Sequence, residues 1–182
     1  MKIKQSILSH LRTIFCALAI AGVLLVFPSA GTGAPRSASG PPIFGSGETH
    51  SCYNYAGPPR QVGENVIITF NTVVEATGTF TGTSTGIEMD VVHPDGSITV
   101  HGTGLFTGSF NGGPEGTLVQ TWHGTVSGVT GHATVLSIGR EGTGGLAGNN
   151  SQATVETDPT APAPGCDLSV TGTYTARIVV GR

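Results

Sequence analysis

Hydrophobic and polar positions alternate most regularly near the end of the chain. Over residues 168–180, Leu168, Val170, Gly172, Tyr174, Ala176, Ile178 and Val180 fall on one face, and Ser169, Thr171, Thr173, Thr175 and Arg177 on the other. That period of two predicts a strand with one buried side. Residues 66–76 are rich in β-branched side chains on both faces, which also favours a strand. Further short β segments are predicted at 116–126, 132–138 and 152–157. Between 79 and 125 glycine punctuates the pattern, as in Phe80-Thr81-Gly82-Thr83 and Gly104-Leu105-Phe106-Thr107-Gly108. Beyond the N-terminal third no segment holds a helical period, and glycine is too frequent for a long helix.

One hairpin fixes which side chains share a face. Asp95-Gly96 reads as a two-residue turn with positive φ at both centres. Closed directly, it pairs His93 with Ile98, Val91 with Val100 and Met89 with Gly102. Ile87, Met89, Val91, His93, Ile98, Val100 and Phe106 then form the apolar face. Glu88, Asp90, Thr99, His101 and Thr103 belong to the polar one. A slip of one residue would exchange the two sets. Gly102, Gly104, Gly124 and Gly172 fall inside strand patterns, where glycine marks the bulges and bends that let a small sheet close on itself. Short strands at this spacing predict an all-β fold, a small closed antiparallel barrel of eight strands.

The N-terminal third is built differently. Lys2, Lys4 and Arg12 precede an apolar run at 14–27, and small residues follow at 28–34. This is the three-part pattern of a signal peptide, and the run falls short of the roughly 20 residues a bilayer span needs. The expected organisation is a signal peptide at 1–34, a flexible Pro/Gly/Ser-rich segment at 35–63 and a barrel domain at 64–182. Removing the signal leaves five basic residues against eleven acidic ones, a net charge of −6. Scattered arginines and an acidic balance exclude a nucleic-acid footprint. The expected locale is secreted or periplasmic, with no stable membrane span after signal removal. Cys52 and Cys166 then remain as an even pair. In an exported chain such a pair reads first as a disulfide, with free thiols as the alternative.

The strand motifs resemble those of a known group. Phe80-Thr81-Gly82-Thr83, Pro94-Asp95-Gly96-Ser97, Gly104-Leu105-Phe106-Thr107-Gly108-Ser109-Phe110 and Gly142-Thr143-Gly144-Gly145-Leu146-Ala147-Gly148 are similar to successive motifs of a bacterial domain-of-unknown-function family. That family is placed in the allene oxide cyclase barrel-like group. The resemblance implies an eight-stranded, calycin-like antiparallel barrel. In parts of the wider group such a barrel holds an apolar ligand and steers its ring closure or coupling. The chain departs from the family at Asn150, Ser151 and Trp122, and in its cysteines.

Hydrolytic, P-loop and EF-hand motifs are absent from the sequence, and the histidines have no paired metal-ligand spacing. No metal and no cofactor are expected. Asp90 and His101 are cross-strand neighbours in the predicted register, as either a general base or an exposed ion pair. Polar groups on the apolar face are the stronger site candidates. These are His93, Gln120 and Tyr174, set among Met89, Trp122 and aliphatic residues. They either line a pocket for an apolar small molecule or satisfy one another in a packed core. Three functions stay open: small-molecule binding, a cofactor-free cyclase or isomerase, and a structural or interaction protein of the cell envelope. The expected state is a monomer or weak homo-oligomer.

Overall fold

The structure is a computed structural model that describes residues 40–181; the expected signal peptide lies outside the described residues. Nine strands form one sheet: β1 (Ile43–Tyr55), β2 (Arg60–Val62), β3 (Asn65–Gly78), β4 (Phe80–Val92), β5 (Ile98–Phe110), β6 (Gly116–Val126), β7 (Ala133–Gly144), β8 (Asn149–Thr160) and β9 (Leu168–Val180). From β3 to β9 each strand pairs antiparallel with its successor. β1 pairs with both β9 and β3, which closes an eight-stranded barrel, and β2 extends β3 as a short additional hairpin. No helix occurs among the described residues.

β1 corrects the expected flexible segment at 35–63. Thr49 and Ser51 point inward and are buried, while Glu48 and His50 are exposed. The strand thus alternates small polar against charged residues, a pattern that hydrophobicity does not reveal. From Gly47 to Tyr53 its backbone is laddered on both sides, so it needs little apolar payload to stay in place. The Cys52–Cys166 disulfide spans 114 residues and ties β1 to the loop before β9. Asp167 strengthens that tie: its N–H donates to the Tyr53 carbonyl (3.0 Å) and its carboxylate accepts from the Tyr55 N–H (2.9 Å).

The predicted register of the β4–β5 hairpin is off by one. His93 N–H donates to the Ser97 carbonyl, and Gly96 N–H donates back to the His93 carbonyl. Pro94 and Asp95 are therefore the centre of a turn, and Gly96 follows with φ 84°. This is a three-residue loop with a glycine bulge, and proline suits its first central position. The extra residue sets Asp90 opposite Val100 and Met89 opposite His101. Every side chain of β4 then faces the other way. Glu88 and Asp90 enter the barrel, and Ile87 and Met89 face solvent at 54% and 40% exposure.

The strand glycines also act differently from expectation. The one register shift is in the β6–β7 ladder between Thr117 and Val119, so Gly102, Gly104, Gly124 and Gly172 do not mark bulges. Gly102 instead leaves room for a neighbour, since a Cβ there would overlap the Trp122 indole.

One end of the barrel is packed solid. Phe80, Phe106, Leu118, Leu146, Tyr174, Ala176 and Ile178 form a buried cluster. The Phe80 ring stands edge-on to Phe106 at 5.8 Å. Leu146, fully buried, comes from the tight turn between β7 and β8, where its N–H donates to the Thr143 carbonyl. The glycine-rich 142–148 motif thus folds a leucine plug into the barrel end.

Candidate functional site

Above the plug the barrel is hollow. The cavity has a volume of about 390 Å3, within the range of small-molecule sites. Its shape follows from side-chain size. β7 contributes Ala133, Val135 and Ser137, and β8 contributes Ser151, Ala153 and Val155, all small. The rest of the wall carries Tyr53, Phe70, Glu88, Asp90 and Trp122. The small side chains cannot reach across to fill the space that the larger wall leaves open.

The large wall is organised around two acids. Glu88 and Asp90 are two residues apart on β4 and so project on the same side. Glu88 is 6% exposed. Its carboxylate accepts a hydrogen bond of 2.5 Å from the Trp122 Nε1–H. That contact needs Gly102, which lies directly opposite Trp122 in the β5–β6 ladder and lets the indole lie over the strand. Phe70 is opposite Glu88 on β3, and the Tyr53 ring meets Phe70 edge-on at 5.7 Å.

Burial dominates the electrostatics of this wall. It pushes the Glu88 carboxyl up to about 8, with the neighbouring Asp90 charge adding to the effect and the Trp122 hydrogen bond opposing it. Asp90 is pushed up to about 6 by burial, while its contact with Glu88 favours the ionised form. Burial, then the charges of Glu88 and Asp90, also hold the Tyr53 phenol well above its usual range. With both carboxyls raised by burial, the pair favours sharing one proton and one negative charge near neutral pH. A neutral acid and an ionised carboxylate sit side by side, the arrangement that supports proton delivery at one atom and proton removal at another. Among the described residues three buried side-chain oxygens have no hydrogen-bond partner: Asp90 Oδ1, Thr49 Oγ1 and Thr72 Oγ1. All three residues line the cavity.

The residues singled out from sequence divide as follows. Gln120, Trp122 and Tyr174 line the cavity. Gln120 Oε1 accepts from the Ser84 hydroxyl at 2.6 Å. Tyr174 presents its ring to the cavity but commits its hydroxyl elsewhere: it accepts from the Phe80 N–H (2.8 Å) and faces the Thr77 carbonyl (3.1 Å). That hydroxyl anchors the β3–β4 connection and is not free to polarise a ligand. Met89 and His93 are not on the cavity wall, because the register shift turned them out. Met89 stands opposite His101, and the His93 ring contacts Asn65 Oδ1 (3.3 Å) and Thr99 Oγ1 (2.9 Å). Asp90 and His101 project to opposite faces, so they form no pair. His101 and His123 face each other across β5–β6 on the outside. His132 is exposed, its ring nitrogens 2.9 Å from Asp158 and 2.9 Å from Glu156.

Glu88, Tyr53 and Phe70 escaped the sequence reading, which placed Asp90 on the polar face beside His101 and not in the barrel. The signal that would have found them is Pro94. Proline belongs inside the turn rather than at the last paired position, and moving it there shifts the register by one.

No family model matches the chain, and no curated protein matches it. Among solved structures, it is similar to a protein of unknown function from the DUF3224 family of Shewanella oneidensis, with a TM-score of 0.55 and 13% identity over 78% of this chain and 98% of that one. The likeness is one of fold: the chain shares its barrel with a bacterial protein of a family whose function is unknown.

Proposed function

We propose that the barrel is a binding chamber for a small, largely apolar molecule, in a protein exported to an oxidising compartment. The observation that carries this reading is the hollow interior itself, about 390 Å3 above a solid plug. A barrel of eight strands is narrow enough for side chains to fill, and here small residues on β7 and β8 leave it open. Buried polar oxygens without partners lie on the wall, and unpaired groups of this kind cost about 1–3 kcal/mol each unless an occupant satisfies them. The Cys52–Cys166 disulfide supports export, since such bonds persist outside the reducing cytosol. Membership of the allene oxide cyclase barrel-like group belongs to the same reading.

Native mass spectrometry of protein purified from its own host tests it. The reading expects a bound mass of a few hundred daltons that is lost on denaturation. A bare polypeptide in every charge state, from protein never unfolded, counts against it and favours the outer surface as the working face.

A second reading, a cofactor-free isomerase or cyclase, is favoured by the Glu88–Asp90 pair. Glu88 would deliver its proton to one atom of the bound molecule while Asp90 removes a proton from another. The substrate's composition would be unchanged, and the proton would have moved from one carboxyl to the other.

A further inference from the structure

We propose that the molecule held in the barrel carries a basic amine, whose ammonium group is received by the Glu88 and Asp90 carboxyls among the Trp122, Tyr53 and Phe70 rings. This deepens the binding reading above and rests on it.

Among the described residues the two acids lack any partner of opposite charge. β3 sets Phe70 opposite Glu88 and Ile68 opposite Asp90, β5 sets Gly102 and Val100 opposite them, and β6 reaches them with Trp122. From β1 come Ser51 and Tyr53; the further titratable groups on the cavity wall are the phenols of Tyr53 and of Tyr174 on β9, and both are acidic. Across the chamber, β7, β8 and β9 contribute side chains that do not titrate near neutral pH. Arg60, Arg140 and Arg177 are exposed and do not line the cavity. Buried carboxylates are ordinarily paired with a cation or a set of donors. Here Glu88 has the Trp122 N–H and Asp90 Oδ1 has nothing.

An independent observation points the same way. Thr49 and Thr72 are 6% and 3% exposed, line the cavity, and leave their hydroxyl oxygens unpartnered. Every orphan on this wall is thus an oxygen able to accept. An ammonium group brings three donors and no acceptor, together with the missing charge. The surrounding rings add to the match, because cations are attracted to the faces of Trp, Tyr and Phe. A carboxylate ligand would meet like charge, and a pure hydrocarbon would leave Asp90 Oδ1 unsatisfied.

The test uses three probes on one hydrocarbon cage: 1-adamantanamine, 1-adamantanol and 1-adamantanecarboxylate. Binding is read from the emission of Trp122, the single tryptophan of the chain, and checked by calorimetry. At about pH 8.5 the amine should bind on the order of tenfold more tightly than the alcohol, and the carboxylate more weakly than either. Near pH 5, with both carboxyls protonated, the preference for the amine should shrink to about twofold. The variant with Glu88→Gln and Asp90→Asn should lose the preference, binding amine and alcohol about equally. Should that variant fail to fold, the pH series on the native protein decides alone. Equal binding of amine and alcohol, a preference for the carboxylate, or a preference that survives in the variant overturns the amine proposal and leaves the chamber standing. Absence of binding by all three probes removes both.

Discussion

Replacing Glu88 by Gln should change the way stability depends on pH. The folded state raises this carboxyl from 4.5 to about 8. Below its unfolded value the group is protonated in both states and costs nothing. As pH rises toward 8 the unfolded chain releases the proton first, so the folded state loses ground, and above 8 the loss is complete. Each unit of displacement corresponds to about 1.4 kcal/mol, which puts the full effect on the order of 3–5 kcal/mol. Gln keeps an acceptor for the Trp122 N–H and has nearly the same volume, so packing is preserved. Urea unfolding followed by Trp122 emission, repeated from about pH 4.5 to pH 9, measures it. The wild-type midpoint should fall relative to the variant by about 2 M across that range, at an m value near 2 kcal/mol per M. Asp90, raised to about 6, leaves a smaller residual slope in the variant, confined to lower pH. Parallel curves, with a difference independent of pH, would refute the claim that Glu88 is buried in the barrel.

Other substitutions probe the remaining parts. Gly102→Ala sets a methyl group against the indole of Trp122; it should cost about 1–3 kcal/mol and shift the emission maximum as the Glu88 hydrogen bond breaks. Tyr174→Phe leaves the Phe80 N–H without its acceptor, so a loss of about 1–3 kcal/mol is expected in urea midpoints, with probe affinity unchanged because the hydroxyl does not serve the cavity. Reducing the Cys52–Cys166 bond releases a 114-residue constraint, and chain entropy sets the loss at up to about 4–5 kcal/mol. An unchanged midpoint after reduction would show that the strand pairings of β1 hold that seam unaided.

Much of the fold was legible because β9 and β6 obey a strict alternation with one apolar side. Their inward sets, Tyr174 with Ile178 and Leu118 with Trp122, follow from period and hydrophobicity alone. The site was not legible, for two physical reasons. In β4 the inward positions after Phe80 include Ser84, Glu88 and Asp90 and the outward ones include Ile87 and Met89, the reverse of the usual partition. A reading that seeks the apolar face inverts the strand, and a Pro-Asp-Gly segment that can be closed in two ways does nothing to prevent it. In β1 the inward side chains Thr49 and Ser51, ahead of Tyr53, are small and polar, so no apolar period marks a strand. Its place is set by ladders to β3 and β9 far along the chain. The glycine of β5 opposite Trp122 looked like a bend because sequence shows the missing side chain and not the ring that fills its place.

The central claim is that ligands enter the hollow of the barrel and meet the wall of Glu88, Asp90 and Trp122. Isotope-filtered NMR contacts between bound 1-adamantanol and assigned side chains test it most directly. Contacts should run to Val100, Trp122, Ala153 and the ring of Tyr174, all of which line the cavity. Contacts confined to Ile87, Met89 and Leu105, the exposed apolar residues of β4 and β5, would contradict it.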